Sequence, residues 1–202
     1  MVSEELRALF GDIDIYLFDQ LLRGRFDTRR RVLDAGCGGG RNLTYLIGRG
    51  FDVFAIDSDA TAVAAVRRLF ARLAPQVPGD RVRQGRLDAL PWPDASMDAV
   101  ISRAVLHFAR DVDHFRAMVD EMWRVLAPGG LLFARLATSI GLEHQLDVSV
   151  GRVRLPDGSE RFVIDQAMLL AITRALGGRL ADPLKTTNVQ QQRAMTTWVV
   201  ER

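Results

Sequence analysis

The stretch Val32-Leu33-Asp34-Ala35-Gly36-Cys37-Gly38-Gly39-Gly40-Arg41-Asn42 decides the fold. An apolar run ending in a carboxylate turns through glycines and passes into a helical pattern at Leu43, Leu46 and Ile47, which is the order strand, tight turn, helix. Such a turn is a ligand cradle. Glycines without Cβ atoms let the backbone bend sharply and let a ligand lie against it, while the following helix aims unpaired N–H groups at that ligand. A dinucleotide fingerprint places its third glycine three positions after the second, where this chain carries Arg41, so a nicotinamide oxidoreductase is disfavoured.

Downstream residues narrow the ligand to a nucleoside. A second apolar strand over 51–56 ends in Asp57, which follows Asp34 by 23 residues (57 − 34). That is close to the roughly 20 expected when an acid at the end of strand two reaches ribose hydroxyls. A carboxylate accepts from both ribose O–H groups at once, whereas Asp59 fits the cap of a helix over 60–73. A third strand over 82–87 leads to Asp88, whose carboxylate suits the exocyclic amine of an adenine with Leu87, Ala89 or Leu90 packed on the ring. A fourth strand covers 97–102, with Asp98 organising a turn. Residues 103–108 then leave its carboxyl end, where open α/β sheets place their ligands, and the reacting centre is expected there. His107 is the best placed of the three histidines, either as a base or as a hydrogen-bonded structural residue. A periodic helix over 113–126 stops at Ala127-Pro128-Gly129-Gly130, and a fifth strand covers 131–136.

The flanks are different in character. Residues 3–23 carry apolar positions at helical spacing with a break at Gly11. This lead-in covers a sheet edge, or acts as a lid bringing Tyr16, Asp19 or Gln20 over the ligand. Residues 148–155 and 161–164 flank Pro156-Asp157-Gly158-Ser159, a hairpin signature, followed by a helix near 166–176 and strands at 184–189 and 194–201.

At 202 residues the chain makes one domain, with a lead-in at 1–27, a cofactor-binding core at 30–137 and a hairpin, helix and terminal strand pair at 138–202. Hydrophobic residues make up 48% and no apolar run approaches the roughly 20 residues of a membrane span. The acidic start, Ser3-Glu4-Glu5, lacks an apolar signal core, so no membrane contact and a cytoplasmic location are expected. A net charge of +2 and one basic run, Arg29-Arg30-Arg31, make nucleic acid an unfavoured partner. The single cysteine, Cys37, excludes an internal disulfide and a cysteine-based zinc site, and no metal is expected.

These residues together resemble a class I S-adenosylmethionine-dependent methyltransferase over roughly residues 30–137. The glycine stretch looks like that family's first motif, Asp57 like its ribose acid and Asp88-Ala89 like its adenine contact. Leu126-Ala127-Pro128-Gly129-Gly130-Leu131-Leu132 is similar to the turn before its fifth strand. The Arg41-Asn42 pair and the short layout are loosely similar to the tellurite-resistance branch. The resemblance implies a doubly wound α/β fold: a Rossmann-like, mostly parallel seven-stranded sheet ending in an antiparallel pair. It implies S-adenosyl-L-methionine as cofactor and S-adenosyl-L-homocysteine as product. It implies a cradle of Asp34, Gly36, Cys37, Gly38, Arg41, Asn42, Asp57, Ser58, Leu87, Asp88 and Ala89, with Ser102 and Arg103 lining the methyl side. The expected activity is methyl transfer to a small-molecule acceptor by a monomer or homodimer, with His107 and Tyr16, or Asp19, as catalytic candidates. The alternative is a non-catalytic cofactor-binding sensor or partner subunit. The hairpin at 148–164 departs from the minimal pattern and reads as a substrate cover or a dimer surface.

Overall fold

A strand covered on both faces needs apolar side chains at consecutive positions, and Val32-Leu33, Ala99-Val100-Ile101 and Leu131-Leu132-Phe133 supply them. The computed structural model describes residues 2–202. The chain runs α1 (Val2–Phe10), α2 (Ile15–Leu22), β1 (Arg31–Ala35), α3 (Leu43–Gly48), β2 (Asp52–Asp57), α4 (Ala60–Leu73), β3 (Val82–Gln84) and β4 (Met97–Arg103). It continues through α5 (Val112–Val125), β5 (Leu126–Ala137), β6 (Gly151–Arg154), β7 (Glu160–Val163), α6 (Gln166–Ala175), β8 (Arg179–Leu180), β9 (Lys185–Val189) and β10 (Arg193–Glu201).

The main sheet has the order β3-β2-β1-β4-β5-β10, with β8 and β9 both on the outer edge of β10. Strands β1 to β5 are parallel and β10 runs antiparallel to β5 and to its edge partners. Alternate residues feed opposite faces. Leu33, Val100, Leu132 and Trp198 pack with α5 and α6, whereas Val32, Ala99, Ile101, Phe133 and Val199 pack with α2, α3 and α4. No helix among the described residues is long and apolar enough to cross a membrane.

Three elements differ from the sequence expectation, each for a local reason. The seventh strand position is filled by two pieces, because Asp182-Pro183 interrupts the edge. Val200 lies opposite Leu180 and Thr197 opposite Lys185, so two extra residues bulge where proline offers no N–H. The third strand stops at Gln84: the Gly85 N–H makes the last ladder bond, to the Asp57 carbonyl at 2.9 Å, and the chain then leaves the sheet. Finally, α5 passes directly into β5: Leu126 lies opposite Met97 and Leu131 opposite Ala99, so Ala127–Gly130 arch out between two paired positions. Gly129 takes a positive φ of 74° in that arch and donates to the Arg202 carbonyl at 2.8 Å.

The lead-in is helical with its break at Gly11, as its spacing predicts. Asp59 caps α4 by accepting from the Thr61 N–H at 2.8 Å. The arginine run fastens the chain to itself: Arg29 pairs with Glu201 at 2.8 Å and Arg31 with Asp98 at 2.9 Å. Asp98 also accepts the Arg30 and Arg31 N–H groups, so it organises the start of β1 rather than its own turn.

The tightest point is the glycine turn after β1. Gly36 has φ +82°, and a Cβ there would run into Val105 Cγ2 and lie 2.8 Å from Cγ1. Gly36→Ala is expected to lower unfolding stability by about 2 kcal/mol or more, from left-handed strain and overpacking. Gly48, at the end of α3, has open space around it, so Gly48→Ala leaves stability unchanged or raises it by up to about 1 kcal/mol. Urea denaturation of both variants checks the contrast; equal midpoints would show that the close approach to Val105 carries no cost.

Candidate functional site

Two cavities open side by side at the carboxyl ends of the parallel strands. The first encloses about 540 Å³ and is lined by Gly36, Gly38, Asp57, Ser58, Leu87 and Asp88 together with Ala104, Val105, Phe108 and His114. The second, about 380 Å³, is lined by Arg103, His107, Arg135, Leu155, Asp157, Arg161, Thr187 and Arg193 among others, and it shares Ala104 and Phe108 with the first. These two residues form the partition. Ala104 holds a positive φ of 60°, a conformation costly for a residue with a Cβ, and is fixed by donating to the Arg135 carbonyl at 2.7 Å.

The glycine turn is closed from below, where the N–H groups of Gly36 and Cys37 both donate to the Ile56 carbonyl, at 2.8 and 3.0 Å. Asp57 accepts from the Gly38 N–H at 2.8 Å through one oxygen and from the Asp59 N–H at 3.0 Å through the other. A carboxylate oxygen has two acceptor positions, so both oxygens retain capacity for ribose hydroxyls. Asp88 is gripped by Arg86, with Nε at 2.8 Å from one oxygen, and lies 3.6 Å from His114 Nε2. The Arg86 guanidinium holds the Asp88 carboxyl down at about 2, so it is ionised at every physiological pH.

Beside this surface lie buried polar atoms without partners. Asp34 is 1% exposed and neither carboxylate oxygen accepts a hydrogen bond; the Ser102 hydroxyl is likewise unpartnered. Burial, followed by repulsion from Asp57, pushes the Asp34 carboxyl up to about 7, against the opposing pull of Arg103 and of the neighbouring Asn42 amide. An acid poised there at the end of β1 is suited to a cationic group of a ligand. Burial pushes the Cys37 thiol up as well, which makes it an inert packing residue rather than a nucleophile.

Of the remaining expected residues, Arg103 and His107 line the second cavity and the others line neither. Arg41 is exposed and its Nε donates to the Asp12 carbonyl at 2.8 Å, tying the turn between α1 and α2 to the glycine stretch. Asn42 is buried and accepts the Asp14 N–H at 3.1 Å. Ala89 is exposed and lines neither cavity. His107 is buried on the wall of the second cavity, and burial, then Arg161 and Arg103, lower its imidazole to about 4. Tyr16 reaches the same region indirectly: its hydroxyl shares a 2.6 Å hydrogen bond with Thr187, and its ring lies under the Arg135 guanidinium at 4.7 Å. Asp19 and Gln20 line a separate cavity of about 210 Å³ against Asp182 and Lys185.

Two residues escaped the sequence reading. His114 opens α5, yet it lines the first cavity beside Asp88. Asp14, 4% exposed, caps α2 by accepting from the Tyr16 N–H at 2.9 Å and takes Arg103 and Arg135 on its other oxygen at 3.1 and 3.4 Å. The signal for Asp14 was its place immediately before an apolar helical run; its ion pairs are tertiary.

With this geometry in hand, the comparisons define the class. A family model described as a methyltransferase domain matches residues 33–134, and the chain belongs to that family. A probable S-adenosylmethionine-dependent methyltransferase of Mycobacterium tuberculosis is 40% identical over 123 residues, covering 61% of this chain and 41% of that protein. A ribosomal RNA small subunit methyltransferase C of Chromohalobacter salexigens is 33% identical over 141 residues, covering 69% of this chain and 41% of its own length. The chain thus spans about two fifths of the length of these curated relatives. Among solved structures, 1,6-didemethyltoxoflavin-N1-methyltransferase of Burkholderia thailandensis, with its substrate and S-adenosylhomocysteine bound, aligns over 99% of this chain and 86% of its own. Its TM-score is 0.68 at 17% identity, a shared Rossmann-like methyltransferase fold.

Asp34 and His107 act on stability with opposite signs across the same pH range. Asp34 rises from its ordinary 3.8 to about 7 on folding, so the folded state binds more protons between pH 4 and 7. Stability falls as pH rises through that window, by on the order of 4 kcal/mol. His107 falls from 6.5 to about 4, so the unfolded state binds more protons and stability rises between pH 4 and 6.5, by on the order of 3 kcal/mol. Denaturation across pH 4–8 is expected to show a falling curve for His107→Gln and a rising one for Asp34→Asn. Curves of the same slope for both variants would remove this assignment.

Proposed function

We propose that this chain transfers the methyl group of S-adenosylmethionine to a small-molecule acceptor. The observation that carries the reading is the pair of cavities divided by Ala104 and Phe108, one built from the glycine turn, Asp57 at the end of β2 and Asp88 on the loop after β3, the other walled on one side by the hairpin. When bound, the cofactor supplies a methyl group on a positively charged sulfur, an electrophile that needs no further activation. The protein's part is to hold and orient, and positioning alone is worth roughly 7–11 kcal/mol of barrier.

In this reading Asp57 accepts the ribose hydroxyls, with Ser58 beside it, and Leu87 and Asp88 take the adenine. The backbone of Gly36 and Gly38, with Asp34 and Ser102 close by, receives the amino-acid end. Cys37, Arg41 and Asn42 shape the turn, and Arg103 stands on the methyl side. His107 is neutral above pH 4 and lines the acceptor cavity, but the burial and arginines that keep it neutral also make it a weak base, so it suits an acceptor whose proton is already labile; a sulfur nucleophile needs no base. Tyr16 positions that wall through Thr187, a lid role for the lead-in. The hairpin serves as the substrate cover, since Leu155, Asp157, Ser159 and Arg161 line the second cavity.

A cavity of about 380 Å³ accords with a small acceptor, as does the small-molecule substrate of the toxoflavin methyltransferase, although one curated relative is named for ribosomal RNA. A cofactor-binding sensor would have no use for the second cavity. Action in the cytoplasm as a monomer or homodimer is part of the same proposal.

Calorimetric titration of the chain with S-adenosylhomocysteine tests the reading, with NADH as comparison. S-adenosylhomocysteine alone is expected to bind, and Asp57→Ala to weaken it about 10- to 100-fold through lost charge-assisted hydrogen bonds. Binding of neither compound, or binding indifferent to Asp57→Ala, would remove the methyltransferase reading.

A further inference from the structure

The walls of the second cavity carry charge that the fold itself does not balance. Parallel register sets Arg103 of β4 directly beside Arg135 of β5, and two further guanidinium groups reach the cavity, from Arg161 on β7 and Arg193 on β10. Like charges on adjacent strands repel, so each needs a counter-ion. The inner pair has one: a single Asp14 oxygen serves both Arg103 and Arg135. Even so, the Arg135 Nε is buried without an acceptor.

The outer pair has less. Arg161 lies over the Phe108 ring at 5.1 Å and gives a hydrogen bond to the adjoining Glu160 carbonyl at 2.8 Å. It makes no ion pair within 4.0 Å among the described residues. Arg193 approaches Asp157 only at 3.8 Å, and Asp157 also serves the Ser159 N–H and hydroxyl at 2.9 and 2.6 Å. Counting the lining side chains and Asp14 beneath them, four guanidinium groups face two carboxylates. Arg161 is stacked on Phe108, a partition residue that both cavities share.

We propose that the acceptor is an oxyanion-bearing molecule, a carboxylate or a phosphate ester, whose anionic group is held by Arg161 and Arg193 in the second cavity. This rests on the methyltransferase reading above and adds the chemical class of its substrate. Guanidinium groups suit both anions because their forked donors match two oxygens at once. Arg161 comes from the hairpin and Arg193 from the last strand, so an anion bridging them also fastens the cover. A neutral acceptor would leave these two cations with Asp157 as their shared counter-charge, a carboxylate already engaged by the Ser159 N–H and hydroxyl.

The test is calorimetry on the chain saturated with S-adenosylhomocysteine, using benzoate and phenyl phosphate as anionic probes and benzamide as the neutral control. At least one anion is expected to bind while benzamide does not. Arg161→Gln and Arg193→Gln are each expected to weaken that binding about 10- to 100-fold, with Arg161→Lys retaining part of it. The preference between benzoate and phenyl phosphate tells a carboxylate acceptor from a phosphate ester. If S-adenosylhomocysteine binds but neither anion does, or if anions bind the Gln variants as tightly as the parent, the oxyanion proposal falls and the methyltransferase reading stands. If S-adenosylhomocysteine itself fails to bind, both fall together.

Discussion

The rest of the structure depends on the close approach between the turn after β1 and the segment after β4. Gly36 and Val105 occupy space that a single added methyl group would fill, so the two strand ends are held as near as backbone and side chain permit. That proximity sets the glycine turn against the segment that carries Ala104 and Phe108, and these two residues divide the groove into two cavities. The positive φ of Ala104 falls just before Val105, where the chain turns after Arg103, and the Arg135 carbonyl fixes that turn.

A second constraint comes from charge. Parallel pairing of β4 with β5 forces Arg103 and Arg135 together, and Asp14 answers them from the first turn of α2. The same carboxylate caps that helix, and its backbone N–H is held by Asn42 from the start of α3. The lead-in is therefore fastened to the mouth of the site by a buried ion pair, one of the costlier ways to join two elements unless every donor is matched. On the opposite side, Asp34 lies buried beside Asp57 without hydrogen-bond partners. The site has cations in excess on one side of its partition and an unsatisfied acid on the other.

What could be read from sequence was what local pattern encodes. The glycine turn, Asp57 at the end of β2, the Asp59 cap and the hairpin at Pro156-Asp157-Gly158-Ser159 each announce themselves within a few residues, and the structure has them there, whereas Asp88 stands on the loop four residues beyond β3 rather than at a strand end. Residues whose role depends on a distant partner were not legible. Nothing near His114 indicates Asp88, and nothing near Asp14 indicates two arginines about a hundred residues away. Ala89 follows the local pattern of an adenine contact but turns outward, because the chain has left the sheet by then. The divided edge strand failed for a related reason: Pro183 was visible, but its effect on pairing depends on a neighbour that sequence alone does not supply.

The position of β10 has a consequence for how the protein is made. This strand lies between β5 and the β8–β9 edge, and Trp198, Val199 and Val200 are among the most deeply buried residues in the sheet. It is also the last of the eight main-sheet strands to leave the ribosome, so during synthesis β5 presents an unpaired and largely apolar border. Such a border can capture another nascent chain as readily as its own missing strand. The window of vulnerability is the time needed to translate from residue 137 to residue 201, the far end of β10's pairing with β5. The β6–β7 hairpin, made within that interval, adds a short piece of local order next to the open border, where Thr138 already bridges to Ile164.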